Sequence, residues 1–475
     1  MIWDLERFKD NTAIIDESGV TLTYAQLKGE TEVVARSVGK RCLVFALCEN
    51  SIGSILGYVA FMNGGIVPLL LNRHLDPALL DGLLSAYAPS FLWVSLEQAG
   101  QFHGMEAVYE VRSYCLLRTH YDKEYSLHPD LALLLTTSGS TGSPKLVRQS
   151  YGNTLDNAES IAKYLELDET ECPITTLPMN YTYGLSIINS HLLVGATMLV
   201  TEKAMTQREF WGFFKEAEAT SFGGVPYTYE MLDRMRFQRM SLPSLRTLTQ
   251  AGGKLTPELH KKFAQYAMDN GKKFIVMYGQ TEASPRMGYL PADKALEKYG
   301  AMGIPIPGGK FRLLDENGQE IKSPHVTGEL VYEGRNVTLG YAECGEDLAK
   351  GDERHGVLQT GDMAQFDEDG YFYVVGRKKR FLKVYGNRVN LDEIDRMIKV
   401  QFEMECASAG TDDHLYLFIT NPDKAQEVKD FVSRKTKLNA AAFKTVVLDE
   451  IPKNDSGKVL FRELEKHYRD DVSEK

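Results

Sequence analysis

Apolar residues run in short unbroken blocks through the first two thirds of this chain, and afterwards in segments punctuated by turn residues. CLVFAL (42–47), IVPLLL (66–71), FLWVSL (91–96) and LALLL (131–135) are strand-length and lack polar alternation, which predicts strands buried on both faces. Amphipathic stretches of helical period separate several of them. The pattern continues through TSFGGV (220–225), LRTLTQAGG (245–253) and KFIVMYG (273–279), the last coming after a helical stretch at 256–270. Such alternation predicts an α/β chain with parallel-rich sheets covered by helices.

Residues 51–72, SIGSILGYVAFMNGGIVPLLLN, carry no charge. Asn63-Gly64-Gly65 and Pro68 divide them into a helix-length and a strand-length piece, each too short for a bilayer core of about 30 Å. A buried helix followed by a buried strand is therefore expected, and no membrane span. From about residue 303 the texture changes to short β segments, GKFRLLDENGQE, TGELVYEG and QFDEDGYFYVVG, whose Glu-Asn-Gly and Glu-Asp-Gly triplets suit hairpin turns. A small antiparallel unit is expected over about 303–376. The basic run RKKRFLK comes next, then a further α/β segment, and a domain boundary is expected at that run.

With 475 residues, the chain exceeds what one core supports, roughly 250 to 300 residues. Its 43% hydrophobic and 25% charged content is that of a globular protein. A formal net charge of -11 argues against a nucleic-acid partner, while leaving room for a small anion in a local pocket. Six scattered cysteines without a CxxC pair suit a reducing compartment, and the acidic start MIWDLERFKDN lacks the basic and apolar regions of a signal peptide. A cytoplasmic location is expected.

TTSGSTGSPK (136–145) closes the apolar run 131–135. Backbone N–H groups, small hydroxyls and one ammonium are what a polyphosphate requires. It is not GxxxxGK[ST], because Pro144 stands where the second glycine belongs and Leu146 follows Lys145. Nor is it GxGxxG, since Gly139 and Gly142 have no Gly-x-Gly start. Thr137-Ser138-Gly139-Ser140-Thr141-Gly142-Ser143-Pro144-Lys145 resembles the signature of the adenylate-forming superfamily: acyl- and aryl-CoA synthetases, nonribosomal synthetase adenylation domains and luciferases. Further elements occur in that family's order. Ala251-Gly252-Gly253-Lys254 resembles its adenine-contacting turn, and Tyr278-Gly279-Gln280-Thr281-Glu282 its YGxTE. Gly328-Glu329-Leu330 with Leu339-Gly340-Tyr341 resembles GEL…xGY, and Thr360-Gly361-Asp362 the TGD element. Gly376-Arg377 with Lys383, Gly386 and Arg388 resembles GRxxxxIKxxGxR, and Pro452-Lys453 through Gly457-Lys458 resembles PKxxxGK. Leu146 and Tyr151 depart from the glycine and histidine common in the family, and neither is a catalytic position.

The resemblance implies two half-reactions. A carboxylate attacks the α-phosphate of ATP, giving an acyl-adenylate and pyrophosphate, and a thiol then takes the acyl group. Bringing two anions together calls for cations and fixed dipoles. Lys458 is the expected catalytic cation, and the 137–145 loop with Lys145 would hold the leaving phosphates. Glu282 would hold Mg2+, Thr281 the α-phosphate, and Tyr278 and Gly279 with the Gly252-Gly253-Lys254 turn the adenine. Asp362, assisted by Arg377, would hold the ribose. In fold, the resemblance implies a large N-terminal domain (1–378) of two parallel-rich sheets plus the antiparallel unit, and a small mobile C-terminal α+β domain (380–475) turning about a hinge near Lys379.

Leu177-Pro178-Met179-Asn180-Tyr181-Thr182-Tyr183-Gly184-Leu185 resembles LPxFHxxGL and offers Tyr181 and Tyr183 as substrate contacts. Their polar, aromatic character favours a small or aryl carboxylic acid over a long fatty acid. The acceptor is either coenzyme A or a phosphopantetheinylated carrier protein. An amino-acid adenylating enzyme is the rival, weakened by the lack here of an Asp to hold an α-ammonium. A non-catalytic AMP sensor would be expected to lack Lys458 or Glu282. His191, in an apolar segment, is expected to be a satisfied core residue.

Overall fold

The computed structural model describes the chain except for Met1 and residues 137–144, 385–386, 412, 454–458 and 469–475, and gives the backbone alone for Lys379, Lys383, Asn387 and Arg388. It divides into two compact units, residues 1–311 with 332–358, and residues 312–331 with 359–475.

In the first unit the uninterrupted apolar runs become the middle of an eight-stranded sheet. Leu131–Thr136, Val67–Asn72, Leu43–Cys48 and Phe91–Ser95 are adjacent and parallel, and antiparallel strands flank them on both sides. Almost every residue of these four strands is buried, as runs without alternation require. The uncharged stretch is the buried helix Ile52–Asn63 followed by the strand Val67–Asn72. Among the described residues no helix is long and apolar enough to cross a membrane.

A second, five-stranded sheet carries Ser221–Gly224, Thr247–Gln250 and Lys273–Gly279 side by side and parallel, with Arg286–Leu290 and Ile304–Pro305 antiparallel beyond them. Gly224, Gln250 and Val276 pair in register; the first two strands end at that level and the third runs on to Gly279, so all three chains leave the sheet at the same edge. That is where open α/β sheets bind ligands. Against one face lie residues of the helices Tyr151–Leu165 and Thr182–Leu193, sharing a core of Ile161, Leu165, Tyr183, Ala251, Ile275 and Met277. The first helix starts at a capping box in which Ser150 and Asn153 satisfy each other's backbone N–H. The second is buried along its length, and a Cβ on Gly184 would strike the Pro178 carbonyl, so only glycine allows the approach.

The second unit holds most of a four-stranded sheet in the order Lys310–Leu314, Gly328–Glu333, Val357–Phe366, Phe372–Arg377. The Glu368-Asp369-Gly370 turn joins the last two as an antiparallel hairpin. The Glu316-Asn317-Gly318 turn reverses the chain as expected, the Asp315 N–H donating to the Gln319 carbonyl at 2.9 Å and the Ile321 N–H to the Leu313 carbonyl at 2.8 Å; its return arm forms the bridge Leu314–Glu320, and Lys310–Leu314 takes Gly328–Glu333 as its ladder neighbour. The unit continues through a two-stranded ribbon, Phe381–Val384 with Asn387–Asn390, into a three-stranded sheet of Cys406–Thr411, His414–Ile419 and Phe443–Val447, sharing a core with the helices Leu391–Phe402 and Ala425–Thr436. The compact division thus falls ahead of Lys379, where composition placed the boundary, because most of the small sheet groups with the C-terminal segments.

Candidate active site

Chemistry-bearing side chains of the first unit gather where the parallel strands of the five-stranded sheet end. Strand Lys273–Gly279 delivers Tyr278 and Gly279, and a single 3-10 turn then presents Thr281 and Glu282, both half-buried. Tyr341 Oη donates a 2.7 Å hydrogen bond to Glu282 Oε1. Arg354 donates to the Glu282 carbonyl at 3.2 Å, and the Thr338 N–H donates to the same oxygen at 3.0 Å. Over the Tyr341 ring stand the Lys145 ammonium, 3.9 Å from the centroid, and the Arg354 guanidinium, 4.6 Å away. Burial, and then the charge of Glu282, push the Tyr341 hydroxyl up to about 12, so it stays a donor. One oxygen of Glu282 is thereby fixed, which orients the carboxylate for a cation. Among the described residues no cluster of three or more His, Cys, Asp or Glu could hold a metal. A single oriented carboxylate fits an ion that takes its other ligands from phosphates and water, as Mg2+ does.

Strand Thr247–Gln250 runs into Ala251-Gly252-Gly253-Lys254. Gln250 is fully buried and its Nε2 donates to the carbonyls of Ala251 (3.1 Å) and Gly253 (2.8 Å), pinning the turn from beneath. Gly252 has φ +83, and a Cβ there would stand 2.8 Å from Tyr181 Oη and 3.1 Å from Val225 Cγ1. Its backbone therefore lies directly against the tyrosine, leaving a cradle that a side chain would fill. Tyr278 meets Phe311 edge-on at 6.2 Å, and Gln280 Nε2 donates to its hydroxyl at 3.4 Å.

Tyr181 and Tyr183 begin the helix Thr182–Leu193, their rings 6.3 Å apart. Tyr183 is buried, with its hydroxyl 2.9 Å from Thr249 Oγ1, and burial raises it to about 12 against the opposing charge of Arg286. Arg286 places its guanidinium 4.5 Å over the Tyr183 ring. His191, one of the cavity-lining residues on this helix, sends Nδ1 to the Ile187 carbonyl at 2.8 Å, whereas its buried Nε2 has no partner. Burial first, and Arg286 also, lower it to about 4, so it is neutral. It is half satisfied, not the fully satisfied core histidine expected.

In the second unit, Asp362 and Arg377 pair in register across the hairpin, Arg377 Nε meeting Asp362 Oδ1 at 2.7 Å. Asp362 is buried and Arg377 exposed.

Comparison with known proteins matches residues 2–342 to the AMP-binding enzyme family model. The chain belongs to the AMP-binding enzyme family. It is 27% identical to a 2-succinylbenzoate–CoA ligase of Bacillus cereus over 471 residues, 96% of this chain and 95% of that protein. It is also 27% identical to a feruloyl-CoA synthase of Amycolatopsis, over 97% of both chains. Among solved structures, the o-succinylbenzoate CoA synthetase of Bacillus subtilis in complex with its acyl-adenylate intermediate superimposes with a TM-score of 0.79 at 23% identity, covering 97% of each chain. This AMP-binding enzyme is an AMP-forming acid–thiol ligase.

In this AMP-binding enzyme the structure brings Lys145 to Glu282 through Tyr341, and the Gly252 turn to Tyr181. It places Asp362 beside Arg377. Thr137, Ser138, Gly139, Ser140, Thr141, Gly142 and Lys458 lie outside the described residues, as does the Lys379 side chain. In the basic run around Lys379, Arg377 and Lys378 are exposed, Lys378 meeting Glu329 at 2.7 Å, whereas Arg380 is buried against Asp392 (2.7 Å) and Asp395 (2.5 Å). Two site residues escaped the sequence-based expectations. Tyr341 stood in a recognised element without a role, and Arg286 was a lone cation in the apolar strand RMGYL, which was its only signal.

Proposed function

We propose that this AMP-binding enzyme activates a small or aryl carboxylic acid with ATP and transfers the acyl group to coenzyme A. The observation that carries the proposal is the Lys145–Tyr341–Glu282 cluster at the end of the central parallel strands, which sets a cation and an oriented carboxylate beside the end of the 137–144 segment. Glu282 holds Mg2+, which neutralises phosphate charge when bound. Lys145 holds the departing pyrophosphate, together with the Thr137–Gly142 hydroxyls and N–H groups. The Gly252-Gly253-Lys254 turn, Tyr278 and Gly279 hold adenine, Thr281 the α-phosphate, and the Asp362–Arg377 pair of the second unit the ribose. Lys458 stabilises the transition state between carboxylate and α-phosphate, and the second unit's segment near Lys379 is the hinge between half-reactions.

The names of the relatives, CoA ligases and synthetases, favour coenzyme A over a carrier protein. An amino acid is disfavoured, because no Asp or Glu lines the cavity beside Arg286 to receive an ammonium. Six cysteines without a disulfide support a cytoplasmic setting. ATP–pyrophosphate exchange over a panel of carboxylic and amino acids tests the proposal. Exchange is expected with an aryl or short acid and to fall about 10²–10³-fold in Lys458→Ala. Exchange with no acid, or undiminished by the substitution, overturns it, and thioester formation with free coenzyme A against a phosphopantetheinylated carrier decides the acceptor.

A further inference from the structure

Three arginines are buried among the described residues: Arg148, Arg286 and Arg380. Arg148 meets Glu353 at 2.5 Å and Arg380 meets two aspartates. Arg286, only 1% exposed, meets no carboxylate among the described residues. Its Nε donates to Ser186 Oγ at 3.1 Å, one terminal nitrogen donates to Tyr164 Oη at 3.1 Å, and its plane lies over Tyr183. Neutral acceptors and a ring face satisfy the hydrogens of a guanidinium but leave its charge uncompensated, an arrangement folding alone disfavours.

Arg286 borders a cavity of ≈ 20 Å³ whose lining also includes Ser190, His191, Gly223 and Thr249 and contains no acid. There the buried Nε2 of His191 is the second incomplete group. A carbonyl only accepts, so Nδ1 carries the hydrogen and Nε2 is an acceptor awaiting a donor. A cation without an anion and an acceptor without a donor thus share one cavity. The cavity has a place in the proposed site: Gly252 lies against Tyr181, Tyr181 neighbours Tyr183, and Tyr183 lies under Arg286.

We propose that Arg286 is the counter-ion for a second carboxylate on the acid substrate, at the end remote from the carboxylate that is activated. The proposal rests on the ligase function proposed above and narrows its substrate to short or aryl diacids. The remote carboxylate accepts from the guanidinium beside Tyr183. A cavity of this size suits one water, which bridges the carboxylate to His191 Nε2 by donating one hydrogen to each. Arg286 is thereby a specificity residue, taking no part in the chemistry at the activated carboxylate.

Pyrophosphate exchange on the unaltered enzyme with matched acids tests this: benzoate against terephthalate, butanoate against succinate, hexanoate against adipate, each with its hydroxyl-ended analogue. In at least one set the diacid is expected to exceed both partners by about 10²-fold or more in kcat/KM, as when a site's buried polar groups are left unpaired by the wrong substrate. Arg286→Gln should remove that preference chiefly through KM for the diacid, and Arg286→Lys should restore part of it. Monoacids or hydroxy acids used as well as diacids by the unaltered enzyme overturn the proposal, as does an Arg286→Gln variant that loses all acids equally. The wild-type comparison stands even where the variant does not fold. No exchange with any acid would overturn the ligase function as well, which separates that failure from this one.

Discussion

Tyr341 donates a 2.7 Å hydrogen bond to Glu282 while its ring carries Lys145 on its face. One side chain therefore couples the proposed metal carboxylate to the proposed phosphate cation. Tyr341→Phe keeps the ring, and with it the contacts to Lys145 and Arg354, and deletes only the O–H. Partners that orient a metal ligand are typically worth 10–100-fold in affinity. The Mg2+ concentration giving half-maximal pyrophosphate exchange should rise about 10-fold or more, with the thermal midpoint little changed. Superimposable Mg2+ titrations for the two enzymes would remove Glu282–Tyr341 from the metal site.

Asp362 is 2% exposed and Arg377 largely exposed, so their 2.7 Å pair is unequal. Deleting the exposed partner, as in Arg377→Ala, removes the cation beside a buried carboxylate and should lower stability by more than about 1 kcal/mol, beyond the worth of a surface pair. If Asp362 holds ribose, Asp362→Asn should raise the KM for ATP about 10- to 100-fold, the worth of about 1.5–3 kcal/mol for a hydrogen bond to a charged group. Urea titration of Arg377→Ala checks the first, and steady-state kinetics with ATP varied at saturating acid checks the second. An unchanged KM in Asp362→Asn would return the aspartate to a purely structural role.

How legible these features were depended on whether a residue belonged to a repeating pattern. The strands around Leu47, Leu70 and Leu134 could be read because burial on both faces forbids polar alternation, leaving an unmistakable run. The five-stranded sheet could be read the same way, since Phe274 to Met277 are all buried. The ladder partner of Lys310–Leu314 could not be read, because a turn signal at Asn317-Gly318 specifies a reversal of the chain and not which strand pairs with the one before it. Arg380 sat inside a charge run, where nothing local separates a buried ion pair from a solvated face. Arg286 was hardest: a single cation in a strand has no spacing to reveal it, and only the absence of a facing carboxylate, a property of the fold, makes it informative.

His260 has both ring nitrogens engaged. Its Nε2 donates to the Ala295 carbonyl at 2.9 Å, and Nδ1 accepts from the Gly300 N–H at 3.3 Å. Protonation would abolish the acceptor, and burial lowers the group from 6.5 to about 4. The unfolded chain therefore takes up a proton at His260 as pH drops through 6.5, while the folded chain does not until about pH 4. Stability from this residue is full above 6.5 and is lost on acidification, by about 2 kcal/mol between pH 7 and pH 5. Asp395, pushed up to about 6 by burial, titrates over part of the same range with the opposite sign. The histidine contribution is thus read as a difference: the stability gap between wild type and His260→Gln in urea titrations should shrink by about 2 kcal/mol from pH 7 to pH 5. A gap independent of pH would mean that His260 titrates normally in the folded chain.

Gly252 and Gly271 both hold left-handed backbone, at φ +83 and +61, but a Cβ on Gly271 would meet nothing within 4 Å, whereas one on Gly252 would press on Tyr181 and Val225. Gly271→Ala should therefore cost only the backbone strain, about 1–2 kcal/mol, and leave exchange intact. Gly252→Ala carries the same strain and in addition displaces Tyr181 from the turn proposed to hold adenine. Its exchange rate should fall at least about 10-fold beyond that of Gly271→Ala, with the KM values for ATP and for the acid both raised, because the tyrosine lies between the two proposed subsites. If the two variants lose stability alike and both keep full exchange, then the turn's contact with Tyr181 serves packing alone, and adenine must be held elsewhere in the first unit.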